Sequence, residues 1–124
     1  MQKESVYDQM TKSEKEVAEF LKKLGISWLY EQPVFVWDEN NRPRVWTPDF
    51  FLIPFGVYVE VCGSEKFDYE YRRSIYNNNG YRVIFLHLYK ETIKWKEHLM
   101  NYLEGITNYR NRKLNEILRK KIER

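Results

Sequence analysis

At 124 residues, with 43% hydrophobic and 17% aromatic side chains, the chain can build one packed domain but not two, and its composition excludes a disordered polymer. No apolar run approaches the roughly 20 residues that cross a bilayer, and the opening MQKESVYDQM lacks the apolar stretch of a secretory signal. A cytoplasmic setting without a membrane partner is the expectation. Net charge is only +3, but residues 106–124 carry seven Lys/Arg against Glu116 and Glu123, a local +5 on a body of −2. Such a basic tail suits a polyanionic partner, although a solvated helix face reads the same way.

In chain order, Ser13-Glu14-Lys15-Glu16 before Val17, Phe20, Leu21 and Leu24 predicts an amphipathic helix, with Ser13 as N-cap and Gly25 closing it. Glu16 stands three residues after Ser13, so its plain role is to complete a capping box. Ile26 to Trp37 shifts to a strand pattern, with Pro33 marking an edge or bulge, and DENNRP at 38–43 is a polar turn.

Thr47 to Gly63, TPDFFLIPFGVYVEVCG, reads as a β-hairpin turning at Pro54-Phe55-Gly56, and Asp49 and Glu60 are its only acids. Alternation sends Val57, Val59 and Val61 to one face and Tyr58, Glu60 and Cys62 to the other. A carboxylate in such surroundings must be paired, hydrogen-bonded or bound to a cation. The plain reading of both acids is an ordinary ion pair or turn acid.

The segment after Gly63 predicts a second helix with Phe67, Tyr71 and Ile75 on one face and Gly80 beyond its end. Tyr81 to Tyr89 is an almost unbroken apolar strand, parallel to the hairpin's second arm by the crossover rule. A third helix is expected over Thr92–Leu103, with Ile93, Lys96, Leu99 and Leu103 near one face, and a bend at Gly105. A fourth runs from Asn108 to about Glu123 with the stripe Leu114, Ile117, Leu118, Ile122, read as body packing or, by preference, as a homodimer seam.

This order resembles the PD-(D/E)XK nuclease superfamily, whose restriction-endonuclease-like α/β fold has an αβββαβ core, a mixed central sheet flanked by helices. Pro48-Asp49 stands for the PD pair and Glu60-Val61-Cys62 for the tripeptide, while Ser13-x-x-Glu16 looks like the first-helix acid. Gln32-Pro33, Glu60-Val61-Cys62-Gly63, Arg72 with Tyr76, and Gly80-Tyr81-Arg82-Val83 are similar to the very-short-patch-repair-endonuclease-like group. The likeness covers residues 11–90 of a single domain, and residues 91–124 form a C-terminal helical extension. It implies a Mg²⁺- or Mn²⁺-dependent endonuclease acting on DNA, with RNA as the other substrate class. Asp49, Glu60 and Glu16 would hold the ion, helped by a backbone carbonyl of Val61 or Cys62. Arg72, Arg73, Lys113 and Lys120 would contact nucleic acid.

One departure stands out, because Cys62 replaces the motif lysine and a thiol supplies no ammonium. Lys66 is the first candidate to replace it, with Arg72 or Arg73 second, although all three also read as the solvated face of a helix. Cys62 itself reads as a small buried hydrophobe, and His87 as a core histidine. A nucleic-acid-binding protein that kept the acids but lost turnover is the alternative function. A structural role using neither acid is a third.

Overall fold

Alternation along Val57–Cys62 (β5) sets the middle of the molecule, described by a computed structural model over residues 5–122. Before β5 come a 3-10 turn at Val6–Gln9, α1 (Lys12–Lys23), β1 (Trp28–Tyr30), β2 (Val34–Trp37), β3 (Pro43–Trp46) and β4 (Phe50–Leu52). After it come α2 (Tyr69–Asn78), β6 (Val83–His87) and α3 (Thr92–Ile122). The strands β1-β4-β5-β6 form one mixed sheet, antiparallel except for the parallel β5–β6 pair that α2 connects. The fold class is mixed α/β.

Each face of this sheet has its own apolar layer. Phe50, Leu52, Val57, Val59, Ile84 and Leu86 pack under α1 and α3 through Val17, Leu21, Trp95, Leu99 and Leu103. Cys62 and Phe85, on the opposite face, meet Ile75 and Tyr76 of α2 and Val34 and Val36 of β2. Val57 and Val59 thus go one way and Cys62 the other, as the period-two pattern requires. The β4–β5 turn needs the left-handed backbone of Gly56, φ +67°, which a side chain would disfavour. Arg110 braces that turn by donating to the carbonyls of Pro54 at 2.6 Å and Phe55 at 2.7 Å.

Four sequence expectations are corrected. The single strand expected over Ile26–Trp37 is two, because Glu31 takes φ +52° ahead of Pro33 and turns the chain out of the sheet. The second piece, β2, pairs with β3 as a separate two-stranded ribbon in register Phe35 with Val45. Asp38 closes that ribbon's turn: its Oδ1 accepts from Asn40 N and Arg42 N at 2.9 Å each, and its Oδ2 from Arg44 Nε at 3.1 Å.

The first helix starts earlier than Ser13 implies. Thr11 is its N-cap and Glu14 its reciprocal partner, with Glu14 N donating to Thr11 Oγ1 at 3.2 Å and Thr11 N donating to Glu14 Oε1 at 3.0 Å. The third and fourth helices are one: α3 runs unbroken through Gly105, whose lost helix propensity of about 1 kcal/mol does not outweigh packing by Leu103 and Ile106. Trp95, not Ile93, joins Leu99 and Leu103 on its buried side. The expected end near Glu123 lies outside the described residues. Among the described residues no helix is long and apolar enough to cross a membrane.

Candidate functional site

Register places the two hairpin acids together. Phe50 pairs with Val59, so Asp49 and Glu60 lie one step beyond the paired register, Glu60 turned to Arg72 and Tyr76 of α2 and Asp49 set between Glu60 and Glu14 of α1. Asp49 Oδ2 accepts from Val61 N at 2.6 Å, which ties it across to β5. Asp49, Glu60, Val61, Gly63, Ser64 and Arg72 line one cleft of about 360 Å³.

Glu60 is buried and charge-paired. Its Oε1 accepts from Arg72 Nη2 at 2.9 Å and from Tyr76 OH at 2.7 Å, and Arg72 Nη2 also reaches Tyr76 OH at 3.2 Å. Both donors come from α2 one turn apart, the spacing that puts residues i and i+4 on one helix face. The Arg72 guanidinium lies 4.7 Å from the Trp46 ring centre, a cation–π contact that orders it. Burial opposes its charge, but Glu60 overrides that and raises the Arg72 pKa; burial and Glu60 together raise that of Tyr76. Every bond to Glu60 lands on Oε1 and the one from Val61 N to Asp49 on Oδ2. Glu60 Oε2 accepts no hydrogen bond from the described residues, whereas the Asp49 carboxyl also lies within hydrogen-bonding reach of the Glu14 carboxyl.

A third acid approaches from α1. Glu14 is buried, its Oε2 accepts from Tyr30 OH at 2.9 Å, and the Oγ of its neighbour Ser13 lies 3.6 Å from where a Cβ on Gly63 would stand. Burial pushes the Asp49 carboxyl up to about 8; the Val61 N–H opposes this, and the negative charges of Glu60 and Glu14 add to it. That crowding of carboxylates is what a bound cation relieves. Among the described residues, no group of three or more His, Cys, Asp and Glu has the arrangement of a metal cage. Asp49 and Glu60 are the two cleft carboxylates that could hold a cation, and one or two protein carboxylates per ion is the usual number for Mg²⁺.

The sequence-predicted residues separate accordingly. Asp49, Glu60, Val61 and Arg72 converge on the cleft. Glu16 does not: it is exposed and lines a different surface groove with Phe20, Trp95 and Lys96. Its place is taken by Glu14, which shares the spacing 14, 17, 18, 21 with buried Val17, Ala18 and Leu21. Lys66 is exposed and absent from the cleft lining, since it sits in the loop before α2 and not on β5. Cys62 is fully buried, its carbonyl accepts from Leu88 N at 2.9 Å, and burial pushes its thiol up to about 12, so it is an inert core residue. Arg73 pairs with Glu70 at 2.8 Å, and Lys113 with Glu116 at 3.6 Å; both lie away from the cleft, as does exposed Lys120. Burial lowers the His87 pKa, and its Nδ1 shares a hydrogen bond with Tyr89 OH at 2.9 Å.

Sequence reasoning missed Glu14, Tyr30 and Trp46. An acid on the apolar side of its own helix was the available signal for Glu14, whereas Tyr30 and Trp46 carried none beyond being aromatic. Comparison with protein-family models, with curated proteins and with solved structures yields no match for this chain.

Proposed function

We propose that the protein is a divalent-metal-dependent endonuclease that hydrolyses nucleic-acid phosphodiesters, DNA first, built on a restriction-endonuclease-like αβββαβ core. One observation carries the reading: Asp49 and Glu60 line one cleft beside an arginine, with Glu60 Oε2 unused by the protein and Asp49 crowded by the carboxylates of Glu60 and Glu14. Asp49 Oδ1 and Glu60 Oε2 would hold Mg²⁺ or Mn²⁺, with Val61 backbone alongside. Such an ion supplies a hydroxide-like water near neutral pH and charge on the phosphoryl oxygens.

The protein's own part is positioning. Arg72 keeps its proton at any working pH, so its role is electrostatic: it sets a fixed positive charge beside the scissile phosphate where Cys62 offers none. Trp46 and Tyr76 hold its plane. Glu14, tied to Tyr30 and the first turn of α1, fixes the charge environment of Asp49 without having to touch the substrate.

A second reading is a nucleic-acid-binding protein without turnover, favoured by the Glu60–Arg72–Tyr76 bonds, which already satisfy one oxygen of a would-be ligand. Plasmid, single-stranded and branched DNA incubated with Mn²⁺ separate the two. Cleavage by the wild-type protein that disappears in Asp49→Asn supports the nuclease; retained DNA binding with no cleavage of any substrate supports the alternative.

A further inference from the structure

From Thr107 onward every described residue of α3 is exposed, and past Arg110, which braces the β4–β5 turn, an arm of about 18 Å extends from the body at ~1.5 Å per residue. A helix of that length is marginal in water on its own, and this one presents Leu114, Leu118 and Ile122 at exposures of 54%, 47% and 81%. The apolar face does not begin at the arm. Ile93 and Met100 are also exposed, and Ile93, Met100, Thr107 and Leu114 recur at every seventh residue, which puts one seam along both halves of the helix. Beside Met100 lies an apolar groove of about 340 Å³ lined by Leu24, Ile26, Phe55 and Thr107.

We propose that the occupant of this face is a second copy of the same chain, with the two α3 helices antiparallel and crossing at Thr107. A two-fold axis there sets Leu114 of each copy against Met100 of the other, in the groove formed by Leu24, Ile26 and Phe55. The contact is then self-complementary and made twice. Charge selects this arrangement over a parallel one. Among the described residues, α3 from Arg110 onward carries Arg110, Arg112, Lys113, Arg119, Lys120 and Lys121 against Glu116 alone. Parallel pairing would place two such arms side by side, whereas antiparallel pairing lays each along the half of α3 in which Glu97 and Glu104 balance Lys94 and Lys96, which removes the like-charge repulsion. An anionic lipid surface or a nucleic acid would answer the arm's charge but leave the Met100 groove uncovered.

Sedimentation of the full chain, with site-directed crosslinking, tests this independently of any activity in the cleft. The wild type should sediment at twice the monomer mass, and Leu114→Glu with Leu118→Glu should halve that mass while leaving the near-ultraviolet circular dichroism of the aromatic core unchanged, because both positions are exposed and remote from that core. Under mild oxidation Thr107→Cys should crosslink to itself, and Met100→Cys with Leu114→Cys should crosslink in the double variant only. The wild type serves as control, since its one thiol, Cys62, is buried. A monomeric wild type at high micromolar concentration overturns the proposal, as does self-crosslinking of Leu114→Cys alone, the mark of a parallel pair. So does a monomer that pellets with anionic vesicles.

Discussion

Arg72 stands 2.9 Å from Glu60 Oε1, a salt bridge whose second oxygen accepts no hydrogen bond from the described residues in the cleft that also contains Asp49. The pairing compensates a buried carboxylate and leaves it one free oxygen. Asp49 is tied down differently, its Oδ2 accepting from Val61 N–H at 2.6 Å and its carboxyl lying beside that of Glu14.

Removing Arg72 should expose this dependence. Arg72→Ala leaves Glu60 with Tyr76 as its sole partner and should lower stability by about 1–3 kcal/mol, the bridge being partly solvated on the arginine side. Mn²⁺ should restore more of the melting temperature to Arg72→Ala than it adds to the wild type, because the ion replaces the lost charge. An equal or smaller metal effect in the variant would separate Glu60 from metal binding.

The two acids of α1 should differ in effect. Glu14→Gln removes a charge that helps raise the Asp49 pKa and should change both the rate and the pH profile of cleavage; Glu16→Gln should change neither. Cleavage by Lys66→Ala should also match the wild type, since Lys66 does not line the cleft. Rate measurements across pH on the three variants decide this.

Linkage gives a prediction for stability. The folded Asp49 pKa is raised to about 8 from the ordinary carboxylate range, so the native state holds a proton that the unfolded chain has released. That contribution is fully present below about pH 4 and is lost as pH climbs to about 8, with a limiting slope of about 1.4 kcal/mol per pH unit. Metal-free Asp49→Asn should therefore be more stable than the wild type at pH 8 and nearly equal to it at pH 4. Melting curves at the two pH values test the sign.

A cap substitution checks the first helix. Thr11→Ala should cost about 1 kcal/mol in denaturant unfolding, while Ser13→Ala should cost far less, because Thr11 and not Ser13 closes the capping box.

Period-two patterning made β5 and its two faces legible, and with them the placement of Asp49 and Glu60. Pro54 and Gly56 marked the turn between them. Local capping signals were ambiguous: Thr11-x-x-Glu14 and Ser13-x-x-Glu16 are equally good boxes, and only the burial of Val17, Ala18 and Leu21 picks the first. The β2–β3 ribbon escaped because Glu31, a residue with no turn signature, breaks the strand. The continuity of α3 escaped because Gly105 weakens a helix locally, while tertiary packing on either side sustains it. The choice of Arg72 over Lys66 rests on the side α2 turns toward β5, which spacing alone did not settle.

Calorimetric titration of Mn²⁺ into the folded protein at pH 9, above the raised Asp49 pKa of about 8, tests the central claim most directly. The account predicts one saturable site in the wild type, lost in Asp49→Asn and in Glu60→Gln, with affinity weakening as pH falls. Binding that persists unchanged in both variants, or no binding to the wild type, would contradict it.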